Sequence, residues 1–200
     1  MQTNSPPGDV ERPERGEVAG WNGRFFEDFE VGDIYYHPAG KTVTTTDNQW
    51  FTLLTQNTSK THIDANYALQ TEHGVPLVVS TYTLALVTGQ STTDLSMNVF
   101  ANLGWDKVRM PKPVFEGDTI YSRSKILAKR DSSSRPSVGI VTAATEGYNQ
   151  DGVVVLSYER TFMVYRHGHG PQLGAVRPDE SSLPPVEDAP VEDTRAEGAR

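Results

Sequence analysis

The side chains best suited to proton chemistry lie in one polar stretch, Asn57-Thr-Ser-Lys-Thr-His62-Ile-Asp64, set between two apolar runs. Imidazole is the group that takes up and returns a proton near neutral pH. An amide before it and a carboxyl after it can orient a water or the ring. Chemistry of this kind is commonly carried on loops pinned between rigid elements. On the spacing alone, an irregular helix end with polar caps explains the same residues slightly better.

The flanking sequence supplies the elements that must hold this stretch. Trp50, Phe51 and Leu54 recur at helical spacing, predicting a helix that starts behind Thr46 or Asp47 as N-cap and runs to about Gln56. A short helix over 65–70, capped by Asp64, follows the polar stretch. After the break at Gly74-Val-Pro76, the run Leu77–Val87 is almost wholly apolar and leads to Gly89, which predicts a buried central helix. Upstream, Trp21–Phe29 is aromatic, Glu30–Asp33 is a turn, and Ile34–Thr46 reads as a strand pair or a broken edge strand. Downstream, Asn98–Met110 reads as a strand with a bulge or close approach at Gly104. Three β-rich runs, 119–129, 138–149 and 153–166, close the domain, with a hairpin signal at Asn149-Gln-Asp-Gly152. The pattern predicts an α+β domain, one long helix with a mainly antiparallel sheet able to wrap around it.

Composition bounds the rest. Residues 1–19 and 171–200 are rich in Pro, Glu and Asp without apolar period, and read as disordered tails around one domain over 20–170. The net charge of −8 belongs mostly to those tails, which hold four acidic against two basic and seven acidic against three basic residues. The remaining domain is close to neutral and shows no basic stripe with interleaved aromatics, which argues against nucleic acid as a partner. The absence of cysteine excludes disulfide and thiolate chemistry and fits a reducing, cytoplasmic setting. No signal-peptide pattern is seen, and the apolar runs are far short of a membrane span.

A larger set of residues carries a family resemblance. Thr52-Leu-Leu-Thr55, Ser80-Thr-Tyr-Thr-Leu-Ala-Leu-Val87, Ala101-Asn-Leu-Gly-Trp105, Val114-Phe-Glu-Gly-Asp-Thr119, Ser134-Arg-Pro136 and Gly147-Tyr-Asn-Gln-Asp-Gly152 are each weak signals but specific together. Over roughly residues 24–166 the chain resembles the MaoC-like (R)-specific enoyl-CoA hydratases, most of all their mesaconyl-CoA hydratase (β-methylmalyl-CoA dehydratase) and itaconyl-CoA hydratase branch. The resemblance implies a hot-dog fold and reversible syn hydration of a short, branched, carboxylated enoyl-CoA. It implies no cofactor, since CoA arrives with the substrate, no metal, and at least a homodimer or a dimer of dimers.

The resemblance also implies roles. The family's Asp, four residues, then His, then an acid two further on, is kept here as Asn57, His62 and Asp64. Asn57 can orient a water but cannot take its proton, so proton transfer falls to His62, with Asp64 or Glu72 as helpers. The family's oxyanion donor, a backbone N–H at the start of the central helix, corresponds to Ser80. Arg109 could pair with a substrate carboxylate or a CoA phosphate, and Lys129, Arg130 and Arg135 could meet the CoA 3′-phosphate. An exposed strand end explains Arg109 about equally well, and a solvated loop explains the other three cations better. Trp50, Phe51, Tyr67 and Tyr82 read as core, in part an acyl-pocket wall. His37 reads as a surface strand residue and His73 as structural. His167 and His169 are too few for a metal site. Two other classes remain in view, a non-catalytic acyl-CoA binder or partner subunit and a hot-dog thioesterase. The second needs a carboxylate on the central helix, and Leu77–Gly89 has none.

Overall fold

The structure is a computed structural model that describes residues 20–171, so the expected tails lie outside the described residues except for Pro171. The strands are β1 (Ile34–Tyr36), β2 (Lys41–Thr42), β3 (Val99–Arg109), β4 (Thr119–Asp131), β5 (Val138–Tyr148) and β6 (Val154–Tyr165). They form one antiparallel sheet in the order β1-β4-β5-β6-β3, with β2 also paired to β4. The segment after Asp33 is therefore a broken edge strand, both pieces lying along β4. Pro38 between them offers no N–H to a ladder. Register slips between Asn102 and Gly104, where the bulge was expected.

The helices are α1 (Thr45–Thr55), α2 (Lys60–Ile63), α3 (Ala65–Ala68) and α4 (Ser80–Gln90), the last continuing into a wider turn over Thr92–Ser96. The N-cap of α1 is Thr44, two or three residues before the expected Thr46 or Asp47. Asp47 N–H donates to the Thr44 hydroxyl at 3.2 Å, and Thr44 N–H donates to the Asp47 carboxylate at 2.8 Å. This reciprocal pair satisfies two otherwise orphaned amides, and Asp47 proves to be the third residue of the first helical turn rather than the cap. α4 starts three residues later than the apolar run suggests. Leu77 bridges to Phe115, and Val78 N–H donates to Val114 O at 3.0 Å, so the run is extended before it turns helical. Gly89 does not end the helix, because Gln90 still serves it. The Gln90 amide donates to Ile120 O at 2.7 Å and Ala39 O at 2.8 Å, tying the C-terminus of α4 to β4 and the β1–β2 turn.

The inner face of the sheet carries two apolar clusters. One gathers Phe26, Phe29, Leu95, Ile126, Val141 and Phe162. The other gathers Val43, Val78, Val87, Ile120, Leu156 and Tyr158 under α4. Between them runs a polar layer of Ser122, Ser124, Thr145 and Arg160, all buried. Small residues on β5 permit close layering. A Cβ on Gly147 would come within 2.6 Å of Val87, and one on Gly139 within 2.1 Å of the Phe26 ring. This is the hot-dog arrangement, a sheet curled about one central helix.

Candidate active site

The polar stretch leaves α1 through Gln56, which closes the helix in the left-handed region at φ 55°. Asn57 N–H then donates to Thr52 O at 2.9 Å, and the Asn57 side-chain oxygen accepts from Ser59 N–H at 3.1 Å. That local turn launches α2, which carries His62. The imidazole Nδ1 lies 2.8 Å from Leu77 O. A carbonyl only accepts, so Nδ1 holds the proton and neutral His62 presents a bare Nε2. Among the described residues nothing is hydrogen-bonded to that nitrogen.

Leu77 is bracketed from both sides, its own N–H donating to Thr61 O at 3.1 Å. His62 is thereby fixed beside the segment that becomes α4 three residues later. Ser80 N–H is the first amide of that helix and has no acceptor among the described residues, as helix starts require. Anions are favoured at such an end. The arrangement joins a proton-transfer group with an open nitrogen to an amide donor suited to negative charge.

The other expected site residues are distributed more widely. Asp64 accepts Tyr67 N–H at 2.9 Å and caps α3. Tyr82 is partly buried with its ring edge-on to Phe51, centroids 5.5 Å apart, beside the cluster under α4. Arg109 lines a shallow cavity with Lys107, Glu146, Ser157, Tyr158 and Glu159. Lys129 donates to Phe29 O and lies over the Phe26 ring at 5.0 Å, pinning the aromatic N-terminal segment. Arg130 is exposed near Asp131, and Arg135 sits over the Phe100 ring at 4.9 Å. None of these four cations joins His62 within the chain.

Two expectations need correction. His37 is not a surface residue, being 5% exposed. Its Nδ1 donates to Asp94 at 2.8 Å and its Nε2 lies 2.9 Å from the Ser124 hydroxyl, so a buried partner on each side draws it inward. Burial pushes its pKa below the ordinary value, against the Asp94 carboxylate that raises it. Trp50 and Tyr67 are not core, at 66% and 45% exposed, and Leu53 and Leu54 on the same helix are more exposed still. Helical spacing identified an apolar face but not what covers it. His167 pairs with Asp28 at 2.7 Å, and no cluster of three metal-ligating side chains occurs among the described residues. No helix among them is long and apolar enough to cross a membrane.

Asn48 was not among the expected site residues. It is 0% exposed and donates from Nδ2 to both His62 O and Leu77 O, at 3.2 and 3.1 Å. Its helical neighbours three and four residues away are Thr44, Thr45, Phe51 and Thr52, so no local apolar pattern singled it out.

Comparison with known proteins adds an independent line. The sequence profile of the mesaconyl-CoA hydratase family matches residues 11–194. A mesaconyl-CoA hydratase from Cereibacter sphaeroides is 35% identical over 150 residues, covering 71% of this chain and 41% of that protein. A β-methylmalyl-CoA dehydratase from Chloroflexus aurantiacus is 33% identical over 174 residues, covering 84% and 48%. The crystal structure of a putative MaoC domain dehydratase from Chloroflexus aurantiacus superposes with a TM-score of 0.72 at 29% identity, over 82% of this chain and 46% of that one. The chain thus spans about half the length of the curated relatives it matches. With the profile covering most of its length on a matching fold, the chain belongs to the mesaconyl-CoA hydratase family.

Proposed function

We propose that the protein catalyses the reversible syn addition of water to the α,β double bond of a branched, dicarboxylic enoyl-CoA of the mesaconyl-CoA or itaconyl-CoA type. The observation that carries this reading is the ring of His62, tethered through Nδ1 to Leu77 O and leaving Nε2 open beside the start of α4. A water held by the Asn57 amide gives its proton to His62 Nε2 as its oxygen bonds to Cβ. The π electrons move into the thioester carbonyl, and the resulting enolate oxygen accepts from Ser80 N–H. The enolate then collapses and Cα takes the proton back from His62. A backbone donor aimed at a developing oxyanion is worth about 3–4 kcal/mol. Asp64 acts through its α3 cap, steadying the segment that follows His62. Phe51 and Tyr82 wall the acyl group. CoA enters as part of the substrate, and the cysteine-free chain suits the cytoplasm.

The site is completed by a second hot dog, at least a homodimer. β3 is an edge strand with Leu103 and Trp105 exposed, and Trp50, Leu53 and Leu54 form an uncovered apolar face of α1. Apolar surface of that extent marks an interface. Relatives about twice as long are consistent with two such units working together. Arg109, Arg130 and Arg135, exposed in one chain, are then the cations offered to the carboxylate and phosphates of substrate held between copies.

One observation favours a second reading, binding without turnover: the Asn57 oxygen is already engaged by Ser59 N–H. The test is loss of enoyl-thioester absorbance on mesaconyl-CoA and crotonyl-CoA. Turnover that His62→Ala abolishes and Asn57→Ala only lowers supports the hydratase. Full activity in His62→Ala ends it, and binding without turnover on any enoyl-CoA supports the binder.

A further inference from the structure

Asn48 sits in the second turn of α1, which the Thr44–Asp47 box and a 2.7 Å Lys41–Asp47 ion pair hold at its start. Its side chain is wholly enclosed and touches three other parts of the chain. Nδ2 lies 3.2 Å from His62 O, 3.1 Å from Leu77 O and 3.4 Å from Glu116 Oε1. Its oxygen accepts Val79 N–H at 3.0 Å. The other Glu116 oxygen accepts the Thr45 hydroxyl at 2.6 Å, so the carboxylate is braced against the same helix.

Only a carboxamide can present two N–H groups and one carbonyl oxygen from the same planar tip. The surroundings fix which end points where, since His62 O and Leu77 O can only accept and Val79 N–H can only donate. Leu77 O is the meeting point. One of its lone pairs takes His62 Nδ1–H at 2.8 Å and the other takes Asn48 Nδ2–H. Asn48 therefore holds the carbonyl that chooses the tautomer of His62, the backbone of His62 itself, and the amide one residue before Ser80.

We propose that Asn48 is a positioning residue, which sets the tautomer and placement of His62 relative to the first amide of α4. The proposal rests on the hydratase reading for its kinetic consequence but not for its structural one. Misplacing a general base by about an ångström lowers turnover by about 100-fold. Removing the Nδ2 donors is accordingly expected to lower kcat by about 10- to 100-fold with KM little changed.

The experiment pairs kinetics on mesaconyl-CoA with long-range ¹H–¹⁵N spectra of histidine-labelled protein, the His62 signals being assigned by their loss in His62→Gln. Native His62 is expected as the Nδ1–H tautomer. Asn48→Asp separates the two ends of the side chain, because it keeps the acceptor for Val79 N–H and replaces the donor. If donation to Leu77 O matters, Asn48→Asp loses the tautomer preference and kcat as fully as Asn48→Ala does. If Asn48→Asp folds and keeps native tautomer and kcat, the proposal is overturned. Should neither variant fold, the native protein decides. An Asn48 side-chain amide protected from exchange beside an Nδ1–H His62 supports the proposal, and a freely exchanging amide or an Nε2–H ring sinks it. The tautomer needs no substrate, so a protein that hydrates no enoyl-CoA yet shows the tautomer shift removes the hydratase reading alone.

Discussion

His37 and His62 are both held by hydrogen bonds, and their difference shows what separates a structural imidazole from one that can act. His37 has an Asp on one nitrogen and a Ser on the other, at 2.8 and 2.9 Å, an order of groups that suggests nucleophilic catalysis. Yet its ring is sealed, Ser124 is 1% exposed, and the Ser124 hydroxyl is also bound to Thr145 at 2.8 Å. Every polar atom there has a protein partner, so nothing is left for a ligand. His62 has one nitrogen tied to a backbone carbonyl and the other unpartnered among the described residues, at the edge of the helix that carries Ser80. A ring nitrogen left without a protein partner, rather than a suggestive set of neighbours, is what makes the second histidine the candidate.

Exchanging the roles of the two histidines gives the sharpest break. His62→Ala should lower kcat on mesaconyl-CoA by about 10²- to 10⁴-fold, the range for a lost general acid–base, with thermal stability nearly unchanged. His37→Ala should do the reverse. It removes the ring that joins Asp94 to the buried Ser124 and leaves a void between them, and should cost about 2–3 kcal/mol in a denaturant titration, with residual activity in the folded fraction. A His62 variant that unfolds, or a His37 variant that folds stably but is inactive, would invert the contrast.

The pH dependence of stability sharpens it further. Because burial lowers the pKa of His37 in the folded state, the unfolded chain binds the proton first. The stability contribution is complete above about pH 6.5, the unfolded value, and is lost as pH falls through the folded value. Melts of the native protein should drop across that window, and His37→Gln should flatten that part of the profile.

Smaller effects test the frame that holds the two sites. Gly147→Ala places a methyl within 2.6 Å of Val87 and should cost about 1–3 kcal/mol by forcing α4 away from β5. Thr44→Ala removes the N-cap of α1 and should cost about 1 kcal/mol, measured by thermal unfolding. If Gly147→Ala lowered kcat more than stability, α4 placement rather than packing would be the sensitive quantity.

Much of this was written locally. The middle of β6, from Leu156 to Phe162, alternates in the sequence as it does in burial, and the Asn149–Gly152 turn announces its hairpin. The spacing of Asn57, His62 and Asp64 and the run from Ser80 to Val87 carried the family resemblance and the candidate site. Tertiary structure alone decided that His37 turns inward, because Asp94 and Ser124 lie 57 and 87 residues away from it in the chain. It alone gave Asn48 its place, since His62, Leu77, Val79 and Glu116 reach that amide from separate segments. Periodicity reports which face of an element is apolar, but the partner of a polar atom is set by where distant chain segments meet, and no local pattern encodes that meeting.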